Sequence, residues 1–232
     1  MTFLTLSKPL LRDKQEDLDY QDLQGIWRIS GKVGNIRLIS GFYTRIDQVF
    51  IIWGLISTVI FTTAQFLSVS WTTQAVLWTI LTAIATVMMI AFTWFWVSVE
   101  RLRWLIYVWV ALMLSGIVLT DAGIFLGWGQ VLMRLCPLWL GLSAVGYMIT
   151  AWAVKSSTFL ITAAIHLLGI LLLPYCDGKQ FLATGLVMGI SLLLLAELQW
   201  EMRPPINYDV LTLEQKEFNK QQNLRRQLTS IN

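Results

Sequence analysis

Six membrane-spanning helices in an all-α bundle, with both chain ends cytoplasmic, are the architecture this sequence predicts. Composition, six long apolar runs and a lopsided distribution of positive charge carry that prediction. Of 232 residues 56% are apolar and only 13% charged, with a mean hydropathy of +0.63, against about 45–50% and about 25% in an ordinary soluble domain. A soluble enzyme core and a disordered chain are both disfavoured. Apolar stretches lie at about 48–68, 74–98, 104–126, 131–154, 157–173 and 181–199, each of the length a helix needs to cross about 30 Å of hydrocarbon. Short alternating strands, the mark of a membrane β-barrel, are missing, so helices must satisfy their own backbone groups in lipid. With the amino end inside, 15 of the 17 Lys and Arg fall on the inner side and only Arg134 and Lys179 on the outer, as the positive-inside rule requires.

The chain divides into an amino tail (1–47), a six-span domain (48–199) and a carboxyl tail (200–232). The amino tail is too charged for a cleaved leader and is expected to be retained. Its residues 11–24 are polar and acidic enough for a short surface helix. In Ile26–Val33, Trp27 and Ile29 alternate with Arg28, Ser30 and Lys32, the period of a half-buried strand. Gly34-Asn35 can turn that strand back into Ile36-Arg37-Leu38. Such a two-stranded hairpin needs support from a membrane surface or a partner; the competing expectation is a disordered basic linker.

Between Gln74 and Gly116 there is neither Gly nor Pro, so charge alone separates the second and third spans. Glu100, Arg101 and Arg103 belong in an aqueous interface, which places a turn there. The fifth span, between Lys155 and Pro174, is the shortest; a five-span reading would export Lys216, Lys220, Arg225 and Arg226. Trp94, Trp96, Trp104, Trp152 and Trp200 fall near inner ends and Trp71 and Trp128 near outer ones, the levels amphipathic rings prefer. Pro204-Pro205 ends the last span, and Thr212 with Gln215 has capping-box spacing for a tail helix. That helix, with Leu224 and Leu228 on one face, is expected to be solvated and frayed, or to lie on anionic lipid. The first three spans show no motif in common with the last three.

Ionisable residues at membrane depth are the first candidates for function. Asp121 and Arg134 lie in the outer leaflet of adjacent antiparallel spans, where they could pair or line a path. His166 sits near the middle of the fifth span; a helix–helix hydrogen bond is its ordinary role, and an axial bond to chlorophyll or haem the alternative. Cys136 and Cys176 share the outer side and are candidates for a disulfide. Glu197, at the inner interface, has Arg101 and Arg103 as candidate partners. Two cysteines and one histidine rule out a four-cysteine zinc site and an intrachain bis-histidine haem. No metal, cofactor or nucleic-acid partner is predicted.

Gly141-Leu142-Ser143-Ala144 superficially resembles the serine motif of rhomboid proteases, but its second glycine is Ala144 and His166 falls on the fifth span rather than the sixth. Gly123-x-x-x-Gly127 and Gly185-x-x-x-Gly189 allow close helix approach. As a Trp-rich, Gln-bearing hydrophobic chain with modest tails, the sequence resembles uncharacterised multi-pass proteins of cyanobacteria, which implies a thylakoid membrane as one location beside a plasma membrane. The expected function is a non-enzymatic accessory or assembly factor bound to a membrane-protein partner. A small-solute or ion transporter using Asp121, Arg134 and His166 is the alternative.

Overall fold

A computed structural model describes residues 11–12, 14, 17–33, 36–200 and 209–229. Six of its helices are long and apolar enough to cross a membrane. They are α2 (Arg45–Phe66), α3 (Trp71–Val99), α4 (Arg103–Phe125), α6 (Leu135–Val154), α7 (Ser157–Leu172, extended by a 3-10 turn to Tyr175) and α8 (Gln180–Glu197). The chain is a multi-pass membrane protein. A short helix α5 (Gly129–Leu132) precedes α6, so the fourth span starts at Leu135 rather than near 131. An even number of crossings returns the chain to the side it left, and both tails occupy one end of the bundle.

The spans pack in a ring, α2 on α3, α3 on α4, α4 on α6, α6 on α7, α7 on α8, and α8 back on α2. Local chemistry sets their ends. Thr44 and Asp47 form a reciprocal capping box at the start of α2, and Ser70 accepts from the Thr73 amide at the start of α3. At the tail end, α3 and α6 both stop on a basic residue with left-handed backbone, Arg101 and Lys155, each at φ +56°. Lys155 and Ser156 donate their amides to Ala151 O, which closes that turn tightly. The turn between the second and third spans is thus at the charged residues the sequence singled out.

The described parts of the tails make more contacts than the sequence suggests. Leu11–Arg12 (β1) pairs antiparallel with Gln199–Trp200 (β4), joining the two tails just outside the bundle. Within 11–24 only Tyr20–Leu23 (α1) is helical among the described residues, because β1 takes the first part as a strand. Trp27–Val33 (β2) and Ile36–Tyr43 (β3) pair as the expected hairpin, from Trp27 opposite Tyr43 to Val33 opposite Ile36, with an irregularity at Gly31/Lys32. The turn residues Gly34 and Asn35 lie outside the described residues. Trp27, Arg28 and Ile29 are all exposed, so this end of β2 has no buried face. The carboxyl helix α9 (Leu213–Thr229) starts with the expected Thr212/Gln215 box. It is not a free, frayed helix: it packs on α1 and buries Asn219.

Candidate functional site

The ring of spans surrounds a cavity of about 150 Å³. Its wall comes from α2, α3, α4, α6 and α8, with Phe159 of α7 and Trp200 of β4 added. Six tryptophans border it: Trp53, Trp78, Trp96, Trp109, Trp139 and Trp200. No Asp, Glu, Lys, Arg or His lines it among the described residues. Polar groups of the lining residues are hydroxyls and indole N–H groups, of which Trp53 Nε1 is buried without a partner among the described residues. Ser57, Thr82, Ser143 and Tyr147 are 4, 2, 4 and 3% exposed, and none of their hydroxyls bonds to another described residue.

The α4–α6 wall is built by one device used twice. Trp139 of α6 lies over Gly116 of α4, its ring 2.6 Å from where a glycine Cβ would be, and its indole N–H donates to Thr120 Oγ1 at 3.1 Å. Trp109 of α4 lies over Gly146 of α6 and donates to Thr150 Oγ1 at 3.1 Å. Each tryptophan thus lies in a notch that only glycine leaves open and is locked by a threonine one helical turn beyond that glycine. The spacing is the same in both helices, Trp109/Gly116/Thr120 and Trp139/Gly146/Thr150, so the antiparallel pair is locally two-fold symmetric. The spans therefore share a motif after all.

A polar cap seals the tail end. Trp96, at the cavity wall, donates its indole N–H to Asp22 Oδ1 of α1 at 3.0 Å. Gln21 donates to Glu100 Oε1 at 3.1 Å and accepts from Asn219 of α9 at 3.0 Å, while Asn219 Oδ1 accepts the Tyr20 amide at 2.7 Å. Arg226 reaches Asp19 at 2.7 Å and the Asp17 carbonyl at 2.8 Å. Lys14 pairs with Asp47 at 2.8 Å and stands 4.5 Å from the centre of the Tyr43 ring. Gln48, wholly buried, donates to the Gly25 and Tyr43 carbonyls at 2.8 and 3.0 Å. Desolvation, helped by the neighbouring Asp19 charge, pushes the Asp22 carboxyl up to about 7 against the opposing bond from Trp96. Burial also raises Asp19, with Arg226 pulling the other way, and burial with the Glu197 bond takes Tyr43 up to about 12.

The other candidates are dispersed. Asp121 accepts from Thr79 Oγ1 at 3.0 and 3.1 Å, and no ion pair joins it to Arg134, which is exposed; a hydroxyl on the neighbouring span α3 satisfies the carboxylate first. His166 is fully buried, its Nδ1 2.8 Å from Thr162 O and its ring 5.0 Å from that of Tyr147. It does not line the cavity, and its Nε2 is buried without a hydrogen-bond partner among the described residues. No hydrogen bond joins it to Ser143, so the rhomboid-like motif assembles no dyad. Cys136 and Cys176 are free thiols, one buried and one bonded to the Leu172 carbonyl, rather than a disulfide.

Glu197 meets neither Arg101 nor Arg103: it accepts from the Tyr43 hydroxyl at 2.8 Å. Arg101 pairs with Asp209, and Arg103 donates to Ser98 Oγ at 2.8 Å beside the Trp94 ring. The Gly185/Gly189 pattern does mediate close approach, against Phe61, Thr58 and Gly54 of α2. Gly123 faces Val131 of α5, and Gly127 has nothing within reach. No group of three His, Cys, Asp or Glu able to hold a metal occurs among the described residues. No family model, curated protein or solved structure matches this chain.

Proposed function

We infer that the protein is a non-enzymatic accessory or assembly factor of a larger membrane complex, inserted in a plasma or thylakoid membrane with both tails cytoplasmic. The observation that supports this reading most is the folded tail end. Two tails that sequence alone allows to be loose are joined to each other by β1–β4 and by Arg226–Asp19, and to the bundle by Lys14–Asp47. From that fixed base the hairpin presents Trp27 and Ile29, 49 and 47% exposed, and large aromatic side chains are the usual anchors of protein interfaces. The distribution of Lys and Arg supports the orientation.

Purification of the tagged full chain from its native membrane in mild detergent tests the reading. A stable partner set that is lost in Trp27→Ala/Ile29→Ala, with bundle stability unchanged, is the expected result; a lone monomer counts against it. One observation favours the transporter as a second reading. Thr79 lines the cavity and donates to Asp121, which links the carboxylate to the bundle interior through one hydroxyl. Loss of solute uptake in Asp121→Asn would support transport, and unchanged uptake would remove it.

A further inference from the structure

We propose that the central cavity binds the head group of a neutral single-ring lipophile that carries ring oxygens, a benzoquinone or its quinol on a hydrocarbon tail. Four observations specify the class. The wall has no charged side chain among the described residues, and an ionised ligand buried there without a counter-charge would be strongly disfavoured; fatty acids, phosphate head groups and amines are excluded. The volume of about 150 Å³ matches an apolar cavity that takes up roughly one benzene-sized ring, far less than a tetrapyrrole. Indoles line the space, and ring faces and edges favour a flat aromatic or conjugated guest.

The fourth observation concerns the hydroxyls. Ser57 and Thr82 come from α2 and α3, whereas Ser143 and Tyr147 come from α6; in the ring of spans, α4 separates α3 from α6 on one side and α7 and α8 separate α6 from α2 on the other. Unbonded hydroxyls therefore stand on opposite walls of a mostly apolar space. A ring with oxygens at opposite positions can satisfy both walls at once. Hydroxyls donate to quinone carbonyls and accept equally well from quinol O–H groups, so either redox form fits. The Trp109 and Trp139 latches fix the α4–α6 side beforehand, which reduces the ordering cost of binding.

The full chain in lipid nanodiscs is titrated with decyl-1,4-benzoquinone while tryptophan fluorescence is followed. Saturable quenching is expected, with decylbenzene, a flat six-carbon ring on the same tail without oxygens, competing at least about tenfold more weakly. Ser57→Ala/Ser143→Ala should weaken quinone binding about tenfold, the loss of two hydrogen bonds of ordinary net strength. Ser115→Ala, which alters an exposed hydroxyl on α4 bonded to the Ala111 carbonyl, should leave binding unchanged. Thermal unfolding of each variant verifies that the bundle is intact. Quenching that rises linearly without saturation overturns the proposal, and so does decylbenzene competing equally, or an intact double variant that binds as the parent does.

Discussion

The two helix seams on opposite sides of the cavity both depend on glycine and use it for opposite purposes. Between α2 and α8, Gly54, Gly185 and Gly189 bring two backbones together, and a Cβ on Gly54 would lie 3.4 Å from the Gly189 carbonyl. Between α4 and α6, Gly116 and Gly146 instead admit indoles that threonines then hold. The first seam gains from close dispersion contact, the main source of helix association when the solvent is itself apolar. The second keeps the helices apart by the thickness of a ring and substitutes directional bonds. One seam is closed by backbone contact, while the other is held open by indoles that face the cavity.

The comparison is most sharply tested where glycine meets a ring. Gly116→Ala and Gly146→Ala should each cost about 3 kcal/mol in unfolding by SDS titration, overpacking plus the loss of one indole–threonine bond. The two losses should match, and a large inequality would break the two-fold account. At the other seam Gly185→Ala should cost about 2 kcal/mol, since its Cβ would meet Phe61 Cβ at 2.8 Å and that atom cannot rotate away. Gly189→Ala should cost less, because the nearest atom is the Thr58 hydroxyl, which can turn aside.

Thr120→Val and Thr150→Val should each lose about 1 kcal/mol, leaving the α2–α8 seam untouched, as measured by the same titration. The cap differs from both seams in responding to pH. The Asp22 carboxyl keeps its proton up to about 7 in the folded chain but releases it near 3.8 when freed, so the native state binds the extra proton between those values. Stability of α1 docking is then full on the acid side and declines as pH rises through about 7. Lower protection from hydrogen exchange at residues 20–23 above that pH, relative to the rate of an unstructured amide at the same pH, is the expected result, and Asp22→Asn should abolish the change. The smallest effect belongs to Gly141→Ala, within about 0.5 kcal/mol, because its nearest neighbour, Ile170 Cδ1, is 3.9 Å away.

Span positions were legible because crossing a bilayer constrains length and polarity residue by residue, and the six helices fall within a few residues of the apolar runs. The hairpin and the Thr212 cap were legible for the same reason: each is a local pattern. The β1–β4 pair was not, being two residues long and joining chain segments almost 190 positions apart. Nor was the fate of Asp121 or Glu197, whose partners Thr79 and Tyr43 are a neutral hydroxyl and a phenol that charge matching does not seek. The cavity left a trace that could have been found. Trp109/Gly116/Thr120 recurs as Trp139/Gly146/Thr150, but a search by halves overlooks a motif that spans only one helix in each. The four unbonded hydroxyls have no such trace, since serine and threonine are scattered through every span.

Closure of the ring also sets a timetable. Gly54 of α2 packs on Leu192 and Leu193 of α8, about 140 residues later, which at about 5–20 residues per second is roughly seven to thirty seconds of translation. Throughout that interval the first span is in the membrane without its tightest neighbour, and α1 waits still longer for α9. Newly made chains therefore pass through a stage in which the α2 glycine surface and the amino tail are open to other proteins. The final helices convert that open intermediate into a closed one, and any factor that engages the α2 face must do so before α8 arrives.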